Sequence, residues 1–329
     1  EPYSGHVRYR MLESIREYSA DKLDIEMAPT ALRHAQHFSS FGDEAYAYSL
    51  ETHGGVERRK GMALELENLL GGVDAGLAAG EPEVAAGCAL AGAEVFIMHG
   101  PYADGVALLE RVSGQVLDRG TQGRLIQKAG YLLGFAGRST EALEHFQEAL
   151  ARHREVGNRL VEGSTLRNLG NLHREQGRTS EALDHYQKAL VIAREVGNKR
   201  GEGVALGSLG NLHKAQGRIL EALEHYQQAV AIFRGVGDGR GEGVNIGNLG
   251  DLLSSQGDLV NGGTHLRDAI AICDETWPSA VGAFRGSLAL ILAQQGDFGE
   301  ARSLVEQGEP QVRDVYKLEF GKLLCKKSQ

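Results

Sequence analysis

From residue 123 to residue 272 the apolar and polar positions recur with a fixed period of forty residues. Gly130, Gly170, Gly210 and Gly250 share one frame, and seven residues on come Gly137, Gly177, Gly217 and Gly257. Ala142, Ala182, Ala222 and Gly262 follow, then Phe146, Tyr186, Tyr226 and Leu266, then Ala149, Ala189, Ala229 and Ala269. Residues at i, i+4 and i+7, such as Ala182, Tyr186 and Ala189, lie on one helical stripe, where the two alanines let a neighbouring helix approach the ring. Ahead of Gly177, the residues Leu166, Leu169, Gly170, Leu172 and His173 mark another helix, which the glycine ends. Gly157-Asn158, Gly197-Asn198 and Gly237-Asp238 close one pair and open the next. Each period thus predicts a helix, a tight turn and a second helix, and self-similarity at this length marks a stacked array. Weaker copies carried by Gly100, Tyr102, Gly105 and Leu109 before it, and by Gly296, Ala301 and Val305 after it, raise the expectation to at least six helix pairs.

The flanks are less regular. Tyr9, Leu12, Ile15, Ser19 and Leu23 form one helical stripe, a second helix is expected from Ala31 to Glu51, and a third over residues 62–80. Val312, Val315, Tyr316, Leu323 and Leu324 predict a terminal helix, read as the start of a truncated repeat rather than a polar-backed cap. The expected organisation is therefore leading helices over 1–80, a degenerate repeat over 81–122 and four regular repeats over 123–272. A further degenerate repeat over 273–310 and a terminal helix over 311–329 complete it.

Composition sharpens this. The 329 residues include 45 glycines but only 6 prolines, without the every-third-glycine pattern of collagen or the weak hydrophobicity of a linker. The glycines must then be structural. A net charge of -9 supplies no global field for nucleic acid or an anionic membrane. Cys88, Cys273 and Cys325 are far apart and never in CxxC spacing, which argues against a disulfide framework or zinc knuckle and for a reduced, cytoplasmic setting. The most apolar stretch, Val84 to Met98, is interrupted by Glu94 and is too short and weak to span a bilayer. A first residue of Glu1 rather than Met reads as a piece of a longer protein.

Candidate chemistry is sparse. The sequence contains no GxxxxGK[ST] phosphate loop, no HExxH and no GxSxG. Gly201-Glu-Gly203 and Gly241-Glu-Gly243 imitate a dinucleotide loop, but no strand pattern precedes them and they recur at the repeat period, so turns and packing explain them. His145, His185, His225 and His265 also recur, yet equivalent positions on stacked helices stand roughly 8–10 Å apart, too far to share one ion. His173 and His213 read as packing residues, and His34 with His37 lacks an acidic or cysteine companion. No catalytic residue, metal or cofactor is expected. Thr140-Glu141 and Ser180-Glu181 are expected to cap the second helices.

The forty-residue pattern resembles the tetratricopeptide repeat (TPR), in a long-helix form without the closing proline. The resemblance implies an all-α fold, a right-handed superhelical solenoid of antiparallel helix pairs. It also implies a concave groove lined by the first helices, at the second, fifth, sixth, ninth and twelfth positions of a repeat. Those positions give Arg124, Gln127, Lys128 and Tyr131, then Arg167, Asn168, Asn171 and Arg174, then Asn211 and Lys214, then Asn248 and Asp251. Asparagine offers a donor and an acceptor to an extended backbone, and Arg or Lys suits carboxylates. The groove therefore reads as the binder of an extended, acidic protein or peptide segment. With Tyr131 its only aromatic, it matches single-stranded nucleic acid poorly.

RYRMLESIREYSADKL, RHAQHF and ELENLL resemble the segment that follows the switch domains of bacterial signal-transduction ATPases and transcriptional regulators. That resemblance implies a sensor module in intramolecular contact with N-terminal domains. The alternative is a constitutive assembly scaffold.

Overall fold

The computed structural model describes residues 2–3, 6–7, 27–50, 54–115, 117–276 and 278–313. Beyond a two-residue antiparallel ladder, Pro2–Tyr3 against His6–Val7, its regular elements are helical. The described residues fall into two compact units, one ending at Arg138 and one beginning at Ser139.

The first unit contains α1 (Met27–Ser39), a 3-10 turn (Ser40–Gly42), α2 (Glu44–Ser49), α3 (Gly55–Leu64), α4 (Leu66–Ala78), α5 (Pro82–His99), α6 (Tyr102–Ser113) and α7 (Arg119–Phe135). α5 is its centre, packed by α1, α4, α6, α7 and the 3-10 turn. Its buried face, which includes Ala85, Ala86, Cys88, Ala89, Ala91, Gly92 and Ala93, is small enough to admit helices on several sides. The helix expected from Ala31 to Glu51 is broken at the 3-10 turn, where Gly42 passes against the Gly87 carbonyl too closely for any side chain. The third expected helix divides into α3 and α4 at Glu65. The stripe from Tyr9 to Leu23 and the residues from 314 onward lie outside the described residues.

The second unit comprises α8 (Ser139–Glu155), α9 (Arg159–Glu175), α10 (Thr179–Glu195), α11 (Lys199–Ala215), α12 (Ile219–Val236), α13 (Gly239–Ser255), α14 (Leu259–Thr276), α15 (Pro278–Gln294) and α16 (Phe298–Arg313). It is a solenoid of antiparallel helix pairs, α9 with α10, α11 with α12, α13 with α14 and α15 with α16. The turn inside each pair follows from its glycine. Gly177 and Gly217 adopt φ of +74° and +72°, a conformation that costs any residue with a Cβ. Arg178 N–H and Arg218 N–H then donate back to the carbonyls of His173 and His213, satisfying helix ends that would otherwise be orphaned.

The helix starts differ from expectation. Ser180 bonds Glu181 rather than a backbone N–H, and α10 and α12 begin without a side-chain cap. The first helices carry the caps: Asn158, Asn198 and Asp238 accept from the backbone N–H of Val161, Gly201 and Gly241. Four residues after each cap lies the glutamate of the repeated Glu-Gly pair. Glu162 accepts from Arg154 at the end of the preceding helix and from Arg159 in its own first turn, at 2.9 and 2.7 Å. Glu202 does the same with Arg194 and Lys199, at 2.8 and 2.9 Å, and Glu242 with Arg234. Burial alone would raise the Glu162 and Glu202 carboxyls, but these bonds and charges outweigh it and hold both below the usual range.

Candidate functional site

Within the second unit, the first helices α9, α11, α13 and α15 touch one another in series, with no comparable contact joining α10 to α12 or α12 to α14. The first helices therefore lie on the inside of the curve. What holds the second helix behind each is a glycine and a tyrosine. Tyr186 and Tyr226 are fully buried, their rings pressed on Gly170 and Gly210, where an added Cβ would lie 2.6 Å from Cε1. Each phenol then donates to an asparagine of the first helix, Tyr186 to Asn171 Oδ1 at 2.7 Å and Tyr226 to Asn211 Oδ1 at 2.8 Å. These bonds use only the acceptor and leave both amide N–H donors of each asparagine to spare. Burial raises both phenols, Tyr186 to about 12, so they remain protonated donors at neutral pH.

Arg167 and Arg174 flank Asn171 on α9. Both charges act on the Tyr186 phenol, and Arg174 also acts on Tyr226 of the next repeat. Both side chains are half-buried, and among the described residues neither lies within 4 Å of a carboxylate. That sets them apart from Arg154, Arg194, Arg200 and Arg234, which pair with Glu162, Glu202, Asp238 and Glu242. A cleft of about 360 Å³ between α8, α9 and α10 is lined by Arg154, Arg159, Glu162, Asp184 and Lys188, but its charges are matched internally. Asn168 is buried beside Arg167, and its Oδ1 has no hydrogen-bond partner. Lys214 on α11 and Asn248 and Asp251 on α13 continue the same face, each half-buried. Asp251 raises the Tyr226 phenol from the α13 side.

In the first unit, the expected groove residues are engaged within the unit. Lys128 forms an ion pair with Glu94 on α5, and Arg124 donates to the Gly42 carbonyl and pairs with Glu44 at 3.9 Å. Gln127 and Tyr131 are half-buried, and the Tyr131 ring meets Phe135 edge-on at 5.3 Å, which stacks on Tyr102 at 5.5 Å. The sequence reading missed this aromatic cluster and the tyrosine partners of Asn171 and Asn211. A constant fifteen-residue offset from Asn171 to Tyr186 and from Asn211 to Tyr226 was the available signal.

The histidines pair inside the repeats. His173 stacks on His185 with ring centroids 5.1 Å apart and planes 3° apart, and His213 lies 5.1 Å from His225. Among the described residues no three His, Cys, Asp or Glu side chains gather as a metal set, and no helix is long and apolar enough to cross a membrane. Cys88 and Cys273 are buried free thiols, pushed up to about 12 by burial.

The MalT-like TPR region family matches residues 130–318, more than half of the chain. The chain belongs to the MalT-like TPR family. The TPR frame read from Gly130 onward thus coincides with the family match, which extends past the regular repeats to residue 318. No curated protein matches the sequence. Among solved structures, BtubC (BKLC) from P. vanneervenii is 20% identical, with a TM-score of 0.53 over 64% of this chain and 87% of that one. A Rap protein complexed with competence and sporulation factor is 15% identical, with a TM-score of 0.62 over 81% and 80%. NprR in complex with its cognate peptide NprX is 15% identical, with a TM-score of 0.56 over 82% of each chain. At these identities the likeness is one of fold, that of a TPR-like helical solenoid.

Proposed function

We propose that this chain is the partner-binding module of a larger bacterial regulator and takes an extended, acidic peptide segment along the first helices of its second unit. The carrying observation is Arg167 and Arg174: two half-buried guanidinium groups without carboxylate partners, beside asparagines whose amide donors are to spare. A carboxylate on the segment would supply the bonds they lack, and Asn171, Asn211 and Asn248 would meet its backbone, whereas Asn168, expected in the groove, is buried beneath that face. The fold-level likeness to Rap and NprR, each solved with a peptide or factor bound, supports a peptide as ligand. The MalT-like family supports the regulator context, in which binding alters contacts with N-terminal switch domains. No catalytic step is assigned to this chain.

The test is fluorescence anisotropy with two labelled dodecapeptides, one alternating Glu and Ser and one alternating Lys and Ser. The acidic peptide binds, the basic one does not, and Arg167→Ala with Arg174→Ala weakens binding by about tenfold or more at an unchanged melting temperature. Equal binding by both peptides, or by both proteins, would refute the reading.

A further inference from the structure

Arg167, Asn171 and Arg174 stand at i, i+4 and i+7 on α9, along one stripe of a single helix. Measured along the axis, Arg167 lies about 6 Å to one side of Asn171 and Arg174 about 4.5 Å to the other, so two long side chains flank one short amide. The Tyr186 phenol fixes that amide by donating to its Oδ1 at 2.7 Å, which leaves its two N–H donors to spare. Both guanidinium charges act on the same phenol, ahead of Glu175, an exposed carboxylate at the helix end that opposes them. Among the first helices of the second unit this arginine pair occurs on α9 alone, because the counterparts of Arg167 are Gly207, Gly247 and Gly286. Gly207 and Gly247 are packed by Asn245 and Phe284 of the following first helix, whereas the equivalent place beside Arg167 falls to Ala205. A small neighbour makes room there for an arginine stem.

We propose that Arg167, Asn171 and Arg174 form a subsite for a phosphomonoester, carried by a phosphorylated residue of the bound segment. The proposal rests on the groove reading above and names the acid that α9 receives. Two half-buried cations with no carboxylate within 4 Å among the described residues set two positive charges around one amide. A single carboxylate neutralises one of them and offers two oxygens. A phosphomonoester brings about −1.5 to −2 charges at neutral pH and three acceptor oxygens. Those oxygens can take a guanidinium fork from either side and the Asn171 amide between them. Two carboxylates of an extended segment supply the same charge, but side chains on one of its faces stand about 6.6 Å apart, so they cannot share the one amide. The dianion therefore matches both the charge and its placement. Arginine rather than lysine at both positions fits this reading, since a fork binds two oxygens where an ammonium is a point charge.

The experiment is fluorescence anisotropy on the full chain with three labelled peptides. They are the alternating Glu-Ser dodecapeptide, the same peptide with one central serine phosphorylated, and the same peptide with two further serines replaced by glutamate, which matches the charge of the phosphate. The phosphorylated peptide binds about tenfold more tightly than the charge-matched one, and an equal concentration of inorganic phosphate does not displace it. Arg167→Lys with Arg174→Lys, which keeps the charge and loses the forks, brings this ratio close to one at an unchanged melting temperature. Arg167→Gln alone serves if the double variant does not fold, and it lowers the ratio in the same direction. Equal binding of the phosphorylated and charge-matched peptides, a ratio that survives these variants, or displacement by inorganic phosphate overturns the subsite and leaves the groove reading standing. Absence of binding by all three peptides overturns both.

Discussion

Gly170 and Tyr186 show how much a single residue decides. The ring fills the space where a Cβ would be, 2.6 Å from Cε1, so the two helices of the pair come together only because one position is glycine. The period made this contact legible, because glycine and tyrosine keep their offset at Gly210 and Tyr226. Gly170→Leu overpacks the pair and costs about 1–3 kcal/mol in denaturant melts; a loss near zero would contradict the assigned register. Glycines outside the frame were illegible for the converse reason. An added Cβ on Gly72 would meet Cys88 Sγ at 2.6 Å, and on Gly76 the Ala85 nitrogen at 2.8 Å. These are single contacts between α4 and α5, with no second copy to reveal them. Likewise Lys128 carried the right residue type for a groove, and only the fold shows Glu94 beside it.

At the scale of helices, the turns inside the second and third regular repeats carry an acid-sensitive element. His173 and His213 are buried where the flanking repeats have Leu133 and Leu253. Burial and then Arg178 hold the His173 imidazole below its usual value against the opposing charge of Glu181. Burial, Arg218 and His225 do the same for His213 against Glu221 and Gln216. His185 is lowered by burial, His173, Lys188 and Arg154 against Asp184. A histidine with a lowered folded-state pKa binds its proton more readily when unfolded, so stability is complete above about pH 6.5 and falls as pH drops toward the folded-state values. His173→Leu with His213→Leu, which copies the flanking repeats, flattens this limb in melts between about pH 7 and pH 5. An acid limb of undiminished slope would show that the pairs do not set it. The existence and order of these helices were readable from the 3.6-residue pattern. Their caps were misread, since Asn, Ser and Thr offer similar chemistry in sequence and only backbone geometry selects among them.

For the molecule as a whole, periodicity is the limit of what sequence discloses. In the second unit each repeat contacts its neighbours through the same few positions, so four copies of one pattern determine the fold. The first unit is organised around α5, whose small residues admit partners from several directions, and no repeating signal encodes those partners. Function follows the same division. The repeat frame located the inner face, but distinguishing Arg167 and Arg174 from the ion-paired Arg154 and Arg194 required knowing where Glu162 and Glu202 lie. The central claim, that the first helices of the second unit take an acidic segment, is tested most directly by backbone-amide NMR titration with the Glu-Ser dodecapeptide. The account predicts shifts confined to the groove-facing residues of α9, α11 and α13, largest at Arg167, Asn171 and Arg174. Shifts centred on α10, α12 and α14 would contradict it.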